Sequence, residues 1–329
     1  MSITTPPEIP GASTGLRWRS IGPDDVDGWY ALIRRMADVD KPAWVEARAD
    51  LEQALASSAN DPARDTLLGL DRDNTVRAYG RIALNPGSTT ALGFGGVDPQ
   101  WRRQGIGSAV FRWQEQRLSE RLAGRGGGGV LRTYAEEDNA SHVGLLTAAG
   151  ARVVRYFTEM TRPLDTGLPE AQLPDGMEFV DFSEAVSEEI RRAHNEAFQD
   201  HWGSEPRDRE RWRFTVEHPE FRPAWSFAVR DTAAEAVAAY QLASFDPDGE
   251  EIHGFTEGYT MLLGVRRRWR GLGLAPAMLA EAMRRFKAAG MRNAGLGVDT
   301  ENPSGALGLY ESLGYVSTHR DVVFDKPVS

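Results

Sequence analysis

The 329-residue sequence contains no cysteine, which removes disulfides, thiolate zinc sites and a cysteine nucleophile from consideration. Lysine is scarce: Lys41, Lys287 and Lys326 are the only three among 38 basic residues, a skew that fits GC-rich codon usage and carries no mechanism. The six histidines show no His-x-x-x-His or comparable spacing, so no metal site is expected. No stretch approaches the roughly 18 uninterrupted apolar residues of a membrane helix. The start, MSITTPPEIPGASTG, has no apolar signal region. A soluble, cytoplasmic chain with no membrane partner is therefore expected. Net positive charge is missing as well: the formal charge of −10 argues against nucleic acid as a partner. Local arginine clusters still permit a phosphorylated cofactor.

What is present is a loop that occurs twice. Tyr259, Met261, Leu263 and Val265 alternate as in a strand, and the pattern breaks at Arg266. Arg270, Gly271 and Gly273 follow, and Ala275–Ala289 carries Met278, Leu279, Ala282, Met283 and Phe286 at helical spacing. Glycines let backbone approach a ligand closely, and the first N–H groups of the helix point at whatever sits in the loop, so the stretch reads as a phosphate cradle. Residues 96–107, GVDPQWRRQGIG, repeat GVRRRWRGLGLA at a constant offset of 270 − 102 = 168 residues, about half the chain. An internal duplication of one domain leaves that pattern.

Arg-x-x-Gly-x-Gly/Ala after a strand ending in valine resembles the acyl-CoA signature of the GNAT superfamily of N-acetyltransferases. The resemblance implies that main-chain N–H groups bind the pantetheine arm and pyrophosphate of acetyl-CoA, or another acyl-CoA. In the second half it falls on Leu263, Gly264 and Val265, on Arg270, Gly271, Leu272, Gly273, Leu274, Ala275 and Pro276, and on Asn302. In the first half it falls on Gly95, Gly96 and Val97 and on Arg102, Arg103, Gln104, Gly105, Ile106, Gly107 and Ser108.

The order of strand and helix patterns agrees with an α/β (mixed α+β) architecture of two tandem GNAT-like domains, each a central, mostly antiparallel sheet flanked by helices. Residues 1–14 are expected to be a disordered tail, 15–163 the first domain, 164–175 a proline-rich linker and 176–329 the second domain. The GRGGGG run at Gly124–Gly129 reads as a connection, because no helix follows it directly.

The same resemblance bears on chemistry. The family places a tyrosine that protonates the departing thiolate in a pattern like Asn…Leu-Tyr-Glu-x-x-Gly-Phe/Tyr, and NPSGALGLYESLGY puts Tyr310 on it. Leu146 stands at the corresponding place in the first half and cannot donate a proton. The family's glutamate base, six residues before the closing valine, is Tyr259 here, with Glu257 two residues earlier and Ala91 at the corresponding first-half position. Glu257 acting through a water is the first choice of base, with Tyr259, His253 and Asp299 as lesser candidates. An ordinary solvated carboxylate is an equal reading of Glu257.

HNEAFQDHWG places His194, Glu196, His201 and Trp202 where the family's first helices wall the acceptor cleft, with Tyr259 and Asp299 as further substrate contacts. A degenerate first half beside a competent second half is similar to the mycothiol synthase group of the superfamily. The expected function is acetyl-CoA-dependent N-acetylation of a small-molecule amine by a monomer or homodimer. The alternative is an acyl-CoA sensor without turnover.

Overall fold

The computed structural model describes residues 9–123, 128–301 and 305–329. Most of the expected tail, the glycine run over 124–127, Asn302 and the side chain of His253 lie outside the described residues. The chain divides into two compact units, 1–156 with 320–329, and 157–319. In order, the first half supplies β1 (Arg17–Arg19), α1 (Val26–Asp40), α2 (Arg48–Ala56), α3 (Pro62–Asp65), β2 (Thr66–Leu70), β3 (Val76–Ala83), β4 (Thr90–Val97), α4 (Ile106–Leu122), β5 (Gly129–Glu136), α5 (Ala140–Ala148) and β6 (Arg152–Pro163). The second half supplies β7 (Met177–Asp181), α6 (Glu184–Ala197), α7 (Arg209–Val216), β8 (Phe227–Asp231), β9 (Ala236–Ser244), α8 (Gly249–His253), β10 (Glu257–Val265), α9 (Leu274–Ala288), β11 (Asn293–Asp299), α10 (Ala306–Ser312) and β12 (Val316–Val328).

In unit 1, β1 to β4 are antiparallel neighbours in sequence order, β5 is parallel to β4, and the end of β12 closes the sheet against β5. In unit 2, β7 to β10 are antiparallel neighbours, β11 is parallel to β10, and β6 closes the sheet against β11. Helices α4 and α9 cover one face of their sheets, α1 and α6 the other. The buried stripe of α1 is the one its spacing predicts, with Trp29 and Leu32 fully enclosed and Ile33 beside them. The core of unit 2 on the α9 side joins Met278, Leu279, Ala282, Met283 and Phe286 to Ala294, Leu296 and Val298 of β11.

The units do not divide where the proline-rich segment suggests. β6 pairs with β11 from Phe157 to Pro163, and β12 pairs with β5 from Asp321 to Val328. An unpaired edge exposes a row of backbone donors and acceptors. β5 and β11 each avoid this by pairing with a strand from the other half of the sequence.

Two features of the sheets shape the site. The parallel ladder runs only from Glu257↔Asn293 to Thr260↔Leu296 in unit 2, and from Thr90↔Val130 to Leu92↔Arg132 in unit 1. Beyond it, each central strand diverges from its parallel neighbour and opens a wedge toward its loop. The β9–β10 ladder also slips between Thr260 and Leu262, a β-bulge at Met261, whereas β3–β4 is regular from Ala78↔Val97 to Ala83↔Leu92.

The extra residue breaks the constant offset of the two halves. Before the bulge, Tyr259 corresponds to Leu92 and Glu257 to Thr90. Ala91, the expected counterpart of Tyr259, faces the α4 core instead, among Phe111, Leu118 and Leu131.

Candidate active site

The repeated loop has the same backbone in both units. Gly273 precedes α9 at φ 77° and Gly271 sits at φ 78°, left-handed conformations that a side chain disfavours. A Cβ at either position meets nothing within 4 Å, so the requirement is conformational and the space above the loop is open. The first helical turn closes with Ala277 N donating to Gly273 O at 3.3 Å. The N–H groups ahead of it lack intrahelical acceptors, and Pro276 has none to satisfy. In unit 1, Gly105 takes the capping place at φ 80° and Arg103 the place of Gly271 at φ 64°.

Arg270 and Arg102 staple their loops to the neighbouring elements. Arg270 Nε donates to Val265 O at 3.2 Å and its Nη2 to Ala197 O, at the end of α6, at 2.9 Å. Arg102 repeats this, with Nε to Val97 O at 3.2 Å and both terminal nitrogens on the Asp40 carboxylate at the end of α1 (2.7 and 2.6 Å). Main-chain N–H groups are what each loop offers to an anion.

On the face of unit 2 opposite α9, two glycines of β11 clear a floor. A Cβ on Gly295 would clash with the Glu257 carboxylate, and one on Gly297 would lie 2.8 Å from Glu159 Oε1 and 3.0 Å from the Tyr259 hydroxyl. Glu257 Oε2 accepts from Thr161 Oγ1 at 2.6 Å, and Glu159 Oε2 accepts from the Tyr259 hydroxyl at 2.8 Å. Burial pushes the Glu257 carboxyl up to about 7 against the pull of Thr161, and the like charge of Glu159 adds to the rise. Burial also raises Glu159, against the Tyr259 hydrogen bond and the nearby His319. The Trp202 ring lies 6.4 Å from that of Phe157, two residues before Glu159 on the same face.

Tyr310 is half-buried on α10, its ring 6.2 Å from that of Tyr315. Burial alone pushes its hydroxyl up to about 12, so it is protonated throughout the working pH range.

The other sequence candidates separate. His194 is 3% exposed, its Nδ1 2.6 Å from the Tyr240 hydroxyl and its ring stacked on Phe198, and burial pushes it down to about 3. It is a core histidine, contrary to its expected place in the acceptor cleft, because α6 turns it inward. Glu196 is paired with Arg266 at 2.6 Å. His201 stacks on Phe198, 4.3 Å between rings, and burial lowers it. Asp299 accepts from Glu301 N at 3.1 Å in the turn after β11.

Glu159 and Thr161 are absent from the sequence reading. Alternation in YFTEMTRP was the available signal, with Phe157, Glu159 and Thr161 on one face.

The matching face of unit 1 is filled. Following the sheet register, Arg132 stands where unit 2 has Gly295, and Tyr134 where it has Gly297. Arg132 forms a two-bonded pair with Asp325, both contacts 2.8 Å. Val323 occupies the place of Glu159, and Leu146 is fully enclosed in the α4 core. Unit 1 thus retains the loop, with Thr90, Val323 and Leu146 in place of Glu257, Glu159 and Tyr310.

The profile of the acetyltransferase (GNAT) family matches residues 29–150 and 187–315, one segment in each unit. A mycothiol acetyltransferase of Thermomonospora curvata is 31% identical over 278 residues, 84% of this chain and 86% of that protein. One from Thermobifida fusca is 24% identical across 93% of this chain and 96% of its own length. Among solved structures, a GCN5-related N-acetyltransferase from Sphaerobacter thermophilus superposes with a TM-score of 0.72 at 24% identity, covering 95% of both chains. A tandem GNAT protein from the clavulanic acid biosynthesis pathway gives 0.73 at 17% identity, over 95% of this chain and 99% of that one. With a strand, glycine loop and helix at the core of each matched segment, the chain belongs to the acetyltransferase (GNAT) family and is an acyl-CoA N-acyltransferase of the tandem type.

Proposed function

We propose that the protein transfers the acetyl group of acetyl-CoA to the primary amine of a small molecule, and that unit 2 performs the chemistry by direct attack. The observation that carries this reading is Glu257: a carboxylate poised near neutrality on a face cleared by Gly295, on the strand whose far end feeds the glycine loop. The open space above Gly271 and Gly273, the free first-turn N–H groups of α9 and the β10–β11 wedge suit a pyrophosphate with an extended arm. When bound, acetyl-CoA supplies a thioester carbon open to attack. Glu257 accepts a proton from the amine, directly or through a water, as the C–N bond forms and the C–S bond breaks. Tyr310 donates a hydrogen bond to the sulfur as charge develops there. Full transfer from a hydroxyl at about 12 to a thiolate of ordinary basicity, near 8.5, runs uphill, so donation is the role its burial suits. Trp202, Phe157 and Tyr259 wall the acceptor.

For unit 1 the reading is binding without turnover, since Arg132, Asp325 and Tyr134 occupy its acceptor face. The relatives named mycothiol acetyltransferases suggest a polar amine, but Tyr259 at the position of the family's base leaves the acceptor's identity to experiment. Acetyl-CoA turnover across a panel of primary amines, read as released thiol, tests the function. Amine-dependent thiol release is expected, and its absence across the panel would favour an acyl-CoA sensor.

A further inference from the structure

Glu159 has no role in the reaction described above, although it shares the face on which that reaction is placed. It comes from β6, ahead of the family-matched segment 187–315. Gly295 and Gly297 are two residues apart, about 6.6 Å along a strand. Glu257 lies over the first from β10, and Glu159 over the second from β6. Each carboxylate has a dedicated hydroxyl donor, Thr161 for Glu257 and Tyr259 for Glu159. Tyr259 and His319 act on Glu159, and Glu159 acts on Glu257. Tyr315, itself acted on by Arg162 and Tyr310, adjoins Glu257.

We infer that Glu159, fixed by the Tyr259 hydroxyl, is a positioning residue that holds a second negative charge beside Glu257 and so makes Glu257 the group that takes the acceptor's proton. The inference rests on Glu257 being the base. Its logic is that of two carboxylates sharing one site, in which the better-stabilised member ionises first and raises the proton affinity of the other. Glu159 is the better stabilised, with a hydroxyl and an imidazole drawing it toward the charged form. Glu257 has one hydroxyl and faces Glu159. Tyr259, at the family's base position, then contributes by orienting a carboxylate from another strand.

The test is the pH dependence of kcat/KM for the full chain with an accepted amine, measured for wild type, Glu257→Gln, Glu159→Gln and Tyr259→Phe. Glu257→Gln is expected to lose the acidic limb. Glu159→Gln is expected to keep it, displaced toward lower pH by roughly half a unit to one unit, the scale of losing one nearby like charge, and Tyr259→Phe, which loosens the ionised form of Glu159 without removing it, to displace it less in the same direction. A purely structural role for Glu159 would lower the rate and leave the limb in place. If Glu159→Gln fails to fold, Tyr259→Phe gives a smaller displacement in the same direction with both carboxylates intact. A limb abolished in Glu257→Gln but unmoved in the other two would overturn the inference and leave the base assignment standing. A limb that survives Glu257→Gln would overturn both.

Discussion

Tyr310 and Glu257 owe their properties to burial, and each yields a separable prediction. Tyr310→Phe removes the hydroxyl and keeps the ring against Tyr315, so acetyl-CoA affinity should be nearly unchanged while kcat falls about 10²-fold, the scale of one lost donor. An unchanged kcat would remove Tyr310 from the mechanism. For Glu257 the sign of the pH effect follows from its raised carboxyl, about 7 in the folded chain against 4.5 ordinarily. The folded state holds this proton more tightly, so the residue's contribution is fully present below pH 4.5 and is lost as pH rises through 7. Glu257→Gln, which stays neutral, should raise the melting temperature more at pH 8.5 than at pH 5. Thermal unfolding at the two pH values checks this, and equal shifts would contradict it.

The elements set the limits on what the sequence discloses. The glycine loop is legible because positive φ at Gly271, Gly273 and Gly105 leaves few residue choices, and the tyrosine pattern because its spacing from Gly314 is short. The bulge at Met261 is not, since one inserted residue alters no composition, and a constant offset between halves therefore puts Ala91 in place of Leu92. β6 and β12 are hidden for a different reason. Each pairs with a strand at least 130 residues away in sequence, so no local pattern reveals which unit it completes. Glu159 and Thr161 are missed with β6, and Gly295 and Gly297 acquire meaning only once their neighbours are known. A cut between residues 163 and 164 follows as a test. The fragment 1–163 would leave β5 without β12, and 164–329 would leave β11 without β6, so neither should melt cooperatively alone, whereas coexpression should restore a folded complex. A cooperative melt and full turnover from 164–329 alone would contradict the assigned strand pairing.

Across the molecule, two copies of one architecture differ in what they retain. Both carry the cradle, and only unit 2 joins it to a cleared face with Glu257, Glu159 and Tyr310. The arrangement predicts binding in both units and chemistry in one. Glutamate is suited to separating them, because at Gly273 or Gly105 it meets a left-handed backbone that costs an ordinary residue about 1–2 kcal/mol and sets a negative charge where an anion should bind. The most direct measurement is steady-state turnover of Gly273→Glu and Gly105→Glu side by side, with the stoichiometry of acetyl-CoA binding read by calorimetry. Gly273→Glu is expected to abolish turnover, and Gly105→Glu to lose one bound acetyl-CoA while retaining substantial activity. Activity that survives in Gly273→Glu and vanishes in Gly105→Glu would place the chemistry in unit 1 and contradict the account.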